Sequence, residues 1–293
     1  MREYDGRRMD PAAAPLPRSL ERAIEEMPTV SPVLGRIQEM TNQIDVSPKE
    51  LVQVIALDPV LTGKVIHLVN SSFYGLTHKA RTLAQAVVLL GRNTVKNLAV
   101  STAVLSTLAL RKRSPIDPSE FWRHCLSTAV AARMIGRHRG VAAGDLETYF
   151  IAGLVHDLGK VVLMNAEPEA YTEVLAEAAA LGLLLSFAES ARFDCDHTRI
   201  GGVLARRWHL GPEVVDTIEG HHGGPRALES NDVLRSVVVA NNVAKRLAHG
   251  RSGNPVIEET EREMVERLAL DAEILARIEA SLPGEIERAE VFL

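Results

Sequence analysis

Cysteine, aromatic side chains and long apolar runs are what this chain has least of. Two cysteines, Cys125 and Cys195, cannot build a disulfide framework. Both flank candidate site histidines, and both read as small buried hydrophobes. Aromatic residues make up 4% of the sequence, which excludes an aromatic-lined carbohydrate groove or a stacking platform for single-stranded nucleic acid. No uninterrupted apolar run approaches the roughly 20 residues that a membrane-spanning helix needs. Charge of one sign is not in large excess either. A net charge of -5 argues against general DNA binding by phosphate neutralisation, while leaving room for a local basic patch. Arg2, Arg7 and Arg8 stand near the N-terminus without the apolar stretch of a secretory signal. A soluble, cytoplasmic protein is expected, with no membrane partner.

What is present is helical punctuation. The chain has 293 residues, 46% of them hydrophobic and 24% charged, enough for one large core or two modest domains. Residues 1–17, with Pro11, Pro15 and Pro17, read as a mobile arm. Ser31-Pro32 and Ser47-Pro48-Lys49-Glu50 are helix starts, the second with Glu50 placed for a capping box. Asp58-Pro59 caps a helix through Leu61, Val65 and Leu68, broken at Asn70-Ser71-Ser72 and Gly75. Asn70, Ser71 and Ser72 read as groups that satisfy backbone at a helix end. Arg111-Lys112-Arg113-Ser114-Pro115 is a basic, Pro-ended connector and the best domain boundary. Beyond it, helical periodicity continues through spans of about 118–139, 145–164, 168–181, 186–192, 196–208, 212–222, 231–249 and 258–281, without a convincing strand. The expected fold is all-α and two-lobed: residues 18–113, then 114–250, then a C-terminal extension over 251–293. In that extension Val265, Leu268, Leu275, Ile278 and Leu282 recur near helical spacing among many Glu residues. This is an amphipathic stretch for the body of the protein or for a second copy in a homodimer.

The chemistry concentrates at His156-Asp157-Leu158-Gly159-Lys160, inside an apolar segment. A buried His-Asp doublet is costly unless something pairs with it, and imidazole and carboxylate are ordinary metal ligands. Two ligands are too few, so the rest must come from elsewhere. His124, His197, the pair His221-His222 and the Asn241-Asn242 pair on a late apolar helix are the candidates. Each alone is weak, since a single helical histidine is more often structural than ligating. His67, His78, His138, His209 and His249 have no comparable context and read as surface or structural.

The order of these residues resembles the HD superfamily of helical metal-dependent phosphohydrolases and their inactive relatives. The resemblance implies one metal on the first His, the His-Asp doublet and a late Asp, which here are His124, His156, Asp157 and Asn241. It implies that His197, His221 and His222 serve a second metal or a substrate phosphate. Three stretches narrow it to the HDOD family: Asp58 to Gly75, Leu83 to Leu98, and Ala152 to Lys160 with His197 to Pro212. That resemblance, covering roughly residues 16–250, implies a bacterial helical signalling module, mostly without demonstrated catalysis, working through partner proteins. Two departures stand against activity. Asn241 is neutral where active members carry Asp, which weakens a dication site. His221-His222-Gly223-Gly224-Pro225 is short and lacks the Gly-Tyr-Pro motif of active cyclic-dinucleotide phosphodiesterases. His124, His156 and Asp157 still make a three-ligand set for iron, manganese, zinc or magnesium. The alternative function is therefore a metal-dependent phosphohydrolase acting on a nucleotide or cyclic dinucleotide. In that reading Lys160 and His197 act at the phosphate; Lys160 is otherwise a solvated lysine near a helix end.

Overall fold

The computed structural model describes residues 15–28, 32–41, 47–108, 110, 114–222, 229, 231–254, 256–257 and 261–293. The Ser31 cap, the Arg111–Arg113 connector and Gly223–Pro225 lie outside the described residues, as do residues 1–14 of the expected arm. Among the described residues there are α-helices and one short 3-10 turn but no strand, and the all-α expectation is met.

The first lobe holds α1 (Arg18–Glu26), α2 (Pro32–Thr41), α3 (Pro48–Ile55), α4 (Pro59–Val69), α5 (Leu83–Leu90) and α6 (Arg92–Thr107). The capping box at α3 forms in both directions, Ser47 Oγ accepting from Glu50 N and Glu50 Oε2 from Ser47 N. Asp58 caps α4 by accepting from Val60 N and Leu61 N. Asn70 turns back to pin the following loop, donating to Ala80 O at 2.7 Å and accepting from Ala80 N at 2.8 Å. It satisfies backbone, as its position at a helix end suggests.

The second lobe begins with the 21-residue helix α7 (Pro118–His138), capped by Asp117. Its Ala-rich face lets α8 (Leu146–Val155) approach closely; a Cβ on Gly153 would lie 2.6 Å from Ala129 Cα. Next come α9 (Leu158–Ala166), α10 (Pro168–Leu181), α11 (Leu185–Phe193), α12 (His197–Arg207), α13 (Pro212–Gly220) and α14 (Asp232–Arg246), the last packed along α7 and α8. The expected helix over 145–164 is two helices, broken at His156-Asp157. Consecutive side chains on one helix diverge by about 100°. The break lets both members of the doublet face the same interior.

The lobes share apolar surface. α1 packs on α9, so the second lobe holds α1 against it, and α6 packs on α8. Between them Arg133 donates through Nε to Glu147 Oε1, Tyr74 Oη donates to Glu147 Oε2 at 3.0 Å, and the Arg133 guanidinium lies 4.5 Å from the Phe73 ring centroid. Burial raises the Glu147 pKa, and Arg133 and Tyr74 oppose the shift.

The expected helix over 258–281 is also two: α15 (Glu261–Arg267) and α16 (Ala272–Ala289), separated at Ala269, which has positive φ. α15 packs on α14 and α16 on α7, burying Met264, Leu268, Ile278, Leu282 and Ile286 within the chain. The terminal turn then sets Phe292 against Phe73 and Phe150, with centroids 5.4 and 4.7 Å away. Phe292→Ala is expected to cost about 3 kcal/mol, typical of an aromatic removed from a core. Chemical denaturation would read this, and an unchanged midpoint would mean that the tail does not hold the lobes together.

Candidate metal centre

Asp157 is the centre of the site. It is 1% exposed and has four polar neighbours from three segments of chain. Its Oδ2 accepts from Lys160 Nζ at 2.8 Å and stands 3.4 Å from His156 Nε2. Its Oδ1 stands 3.4 Å from both His197 Nε2 and His221 Nε2, yet accepts no hydrogen bond of good geometry. Burial by itself would raise the Asp157 pKa; His156 and Lys160 beside it outweigh that and hold the carboxyl well below the ordinary carboxylate range.

Two ligand groups share this carboxylate. His124, His156 and Asp157 converge on one side, and Asp157, His197, His221 and His222 on the other, with donor atoms in each group within 4.8 Å of one another. His124 comes from α7, the doublet from the α8–α9 break, His197 from the first position of α12 and His221-His222 from the end of α13. Asn241 lies on α14, 3% exposed, its Oδ1 without a hydrogen-bond partner; His124 Nε2 is likewise unpartnered. His124, His156, Asp157, Lys160, His197, His221 and His222 thus share one interior region, while Asn241 and Asn242 are buried on α14 outside both ligand groups. His67, His78, His138 and His209 are exposed and His249 half-buried. Cys125 and Cys195 are buried thiols, and burial pushes Cys195 up to about 12.

The ring orientations are set by the outer nitrogens. His156 Nδ1 lies 2.7 Å from Gly153 O and His221 Nδ1 2.9 Å from Ile218 O. A carbonyl only accepts, so both Nδ1 atoms carry the proton and both Nε2 atoms turn to Asp157. His197 Nδ1 is held by Glu189 Oε2 at 2.5 Å, the same oxygen accepting from His197 N, while Tyr171 Oη donates to Glu189 Oε1. A carboxylate behind a histidine that faces a cation position is a familiar way to fix the ring. Glu189 and Tyr171 were not legible in the sequence: Glu189 sits in α11 among alanines and serines and carries no motif signal.

Lys160 is neither solvated nor exposed toward a phosphate. It is 1% exposed, and besides Asp157 it donates to Ser252 O at 3.1 Å. Ser252 is the other residue that the sequence did not mark. Its loop is held on α7 by Arg251 N donating to Glu120 O, and Gly250, at φ +78°, lies so close that a Cβ would strike His124 N.

The donor chemistry fits a dication on the His197–His221–His222 side, where Asp157 Oδ1 and the imidazole Nε2 of His197 and His221 meet with no hydrogen-bonded cation between them. On the other side the carboxylate oxygen already carries an ammonium. A divalent ion held in either group would polarise a bound water or phosphoryl oxygen.

Residues 27–223 match the HDOD domain, and the chain belongs to the HDOD family. A crystal structure of an HDOD domain protein of unknown function from Geobacter sulfurreducens is 25% identical, with a TM-score of 0.74 over 94% of this chain and 98% of that one. A Shewanella amazonensis protein, provisionally named a phosphohydrolase, shares the fold at 21% identity and a TM-score of 0.72, over 94% and 98% of the two chains. An uncharacterized Treponema pallidum protein is 28% identical over 237 residues, 81% of this chain and 45% of that protein. The chain therefore spans under half the length of that curated relative.

Two outcomes follow from this packing. Gly159 sits where α9 meets α12, and a Cβ there would overlap His197 O and Gly201 N, both backbone. Gly159→Ala is expected to displace His197 and lower the melting temperature by several degrees, on the order of the 1–3 kcal/mol of other overpacked cores; an unchanged melt would show that the helices separate freely.

The second outcome concerns pH. Burial pushes His221 down to about 4, and His124 and His222 are also well below their ordinary 6.5, burial again leading and neighbouring histidines adding. Between about 6.5 and 4 the unfolded chain therefore binds more protons than the folded one, so stability is full above this window and falls as pH drops through it. Thermal melts in chelator from pH 8 to pH 4 should show that fall on the acid side; a flat profile would mean these rings protonate within the fold.

Proposed function

We propose that the chain is a signal-transduction module of the HDOD type that works through protein contacts and not by catalysis. The observation that carries this reading is the enclosure of the site. His124, His156, Asp157, Lys160, His197 and His221 are each no more than 1% exposed, and the carboxylate is already paired with a lysine. A phosphoester would have to reach a carboxylate and histidines that the fold has sealed. Asn241, neutral on α14, adds to the argument, since a dication gains little from it.

Contact surface is available on the first lobe. The outward face of α5 carries Ala84, Gln85, Val88 and Leu89 without a charge, and Val88 is 84% exposed. Leu57 and Val60, at the turn between α3 and α4, are also largely exposed. Such apolar surface supports recognition of a partner protein.

The second reading, a metal-dependent phosphohydrolase acting on a nucleotide or cyclic dinucleotide, is favoured by the convergence of His197 and His221 on Asp157 Oδ1. The two readings separate in one assay. Purified protein loaded in turn with Mn, Fe, Zn and Mg is offered nucleotides, cyclic dinucleotides and a chromogenic phosphoester. No turnover above the Asp157→Ala control is expected; turnover that this substitution abolishes would establish the enzyme instead.

A further inference from the structure

The two sides of Asp157 are compensated differently. On the Oδ2 side stands Lys160, its ammonium bonded to the carboxylate at 2.8 Å and to Ser252 O at 3.1 Å, and its stem fully buried. The Ser252 carbonyl is aimed by a loop that positive-φ glycines flank on both sides, Gly250 and Gly253. This is a built seat for an ammonium. On the Oδ1 side the situation is reversed. His221 Nδ1 is spent on Ile218 O and His197 Nδ1 on Glu189, so both rings turn Nε2 to Asp157 Oδ1, and an imidazole whose one proton is held at Nδ1 offers its lone pair at Nε2. Those two nitrogens are 3.3 Å apart, and each is 3.4 Å from Asp157 Oδ1. Three such atoms at this spacing are held together by a shared proton or by a metal cation among them.

We propose that Lys160 is the resident cation of the His124–His156 side and keeps a metal ion out of it, so that the chain takes a single dication, of the zinc class, on Asp157 Oδ1, His197, His221 and His222. The ion class follows from the donors. Three imidazoles and one carboxylate oxygen are the four-coordinate, nitrogen-rich set that zinc prefers, whereas magnesium prefers oxygen and retains its waters. Exclusion from the other side follows from charge. A dication on Oδ2 would stand beside an ammonium already bonded to that same oxygen at 2.8 Å, and the two charges repel. Lys160 thus sets the number of ions. His124 and His156 keep unpartnered Nε2 atoms, so that side remains able to bind metal once the ammonium is gone.

The inference goes beyond the signalling reading and does not depend on it: turnover would overturn that reading without altering the metal count, and the count can fail while the protein remains inert. The test uses the full chain, stripped with chelator, dialysed against zinc and separately against cobalt(II), with metal counted by elemental analysis and the cobalt visible bands recorded. One equivalent is expected in the parent and in His124→Gln, with the intense bands of four-coordinate cobalt. Binding should be lost in His221→Gln, and Lys160→Met should bind two. Lys160→Gln serves if the Met variant does not fold, and melting curves report folding of each variant. No metal in the parent, leaving a shared proton among Oδ1, His197 and His221, overturns the proposal. So does binding lost in His124→Gln but kept in His221→Gln, or a parent count of two. A folded Lys160 variant that still binds one equivalent also overturns it.

Discussion

A carboxylate removed from water must be compensated, and in this protein nearly every feature of the second lobe follows from compensating Asp157. Burial of an ionised carboxylate is among the costliest events in folding unless charge and hydrogen bonds are brought to it. Here they come from α9, α12 and α13, with His156 from its own turn. The chain breaks between α8 and α9 so that the doublet can face inward. It places glycine at 159 so that α12 can begin against α9 and carry His197 into range. Glu189 and Tyr171 then lock His197 from behind. The helices are arranged as they are because a particular set of side chains has to meet, and the apolar residues between them supply the stability that makes the meeting affordable.

Much of this was legible in the sequence, and the parts that were not share a physical reason. Helix ends were legible where local chemistry decides them: Ser47 with Glu50 and Asp58 before Pro59 act within four residues of themselves. The doublet, His124, His197 and His221-His222 were legible because residue type and order carry over from a family pattern. The break at His156-Asp157 was not, since Leu154, Val155, Leu158 and Val161 continue the helical period across it and only tertiary contact interrupts the helix. Nor could Glu189, Tyr171 or Ser252 be found. Glu189 reaches His197 from the preceding helix, and Ser252 acts through a backbone carbonyl, which any residue possesses. Lys160 was visible as a residue but not as a buried one, because a lysine beside a helix start is ordinarily solvated.

The two lobes are coupled by contacts that lie far apart in sequence. Tyr74 follows α4, Glu147 and Phe150 stand on α8, Arg133 on α7 and Phe292 at the chain end. A displacement of α8 would therefore be felt at the Tyr74 loop, and α8 ends at His156. That is a physical connection between the interior cluster and the lobe bearing the exposed apolar face of α5, made of packed side chains and one buried ion pair. Under the proposed signalling role, that connection is a route between the cluster and the first lobe made of packing alone.

Charge counting bears on Asn241 and Lys160 as well. The resemblance implies a carboxylate ligand at 241, where this chain carries a neutral side chain, so Asp157 is the one carboxylate in the His124–His156 group. The Lys160 ammonium on Oδ2 balances that single charge. The other side keeps its own account. Glu189 adds a second buried carboxylate behind His197, bonded to His197 and Tyr171. Lys160 is spent on Asp157 Oδ2 and the Ser252 carbonyl, so among the described residues no ammonium is bonded to the Oδ1 face, where the Nε2 atoms of His197 and His221 converge.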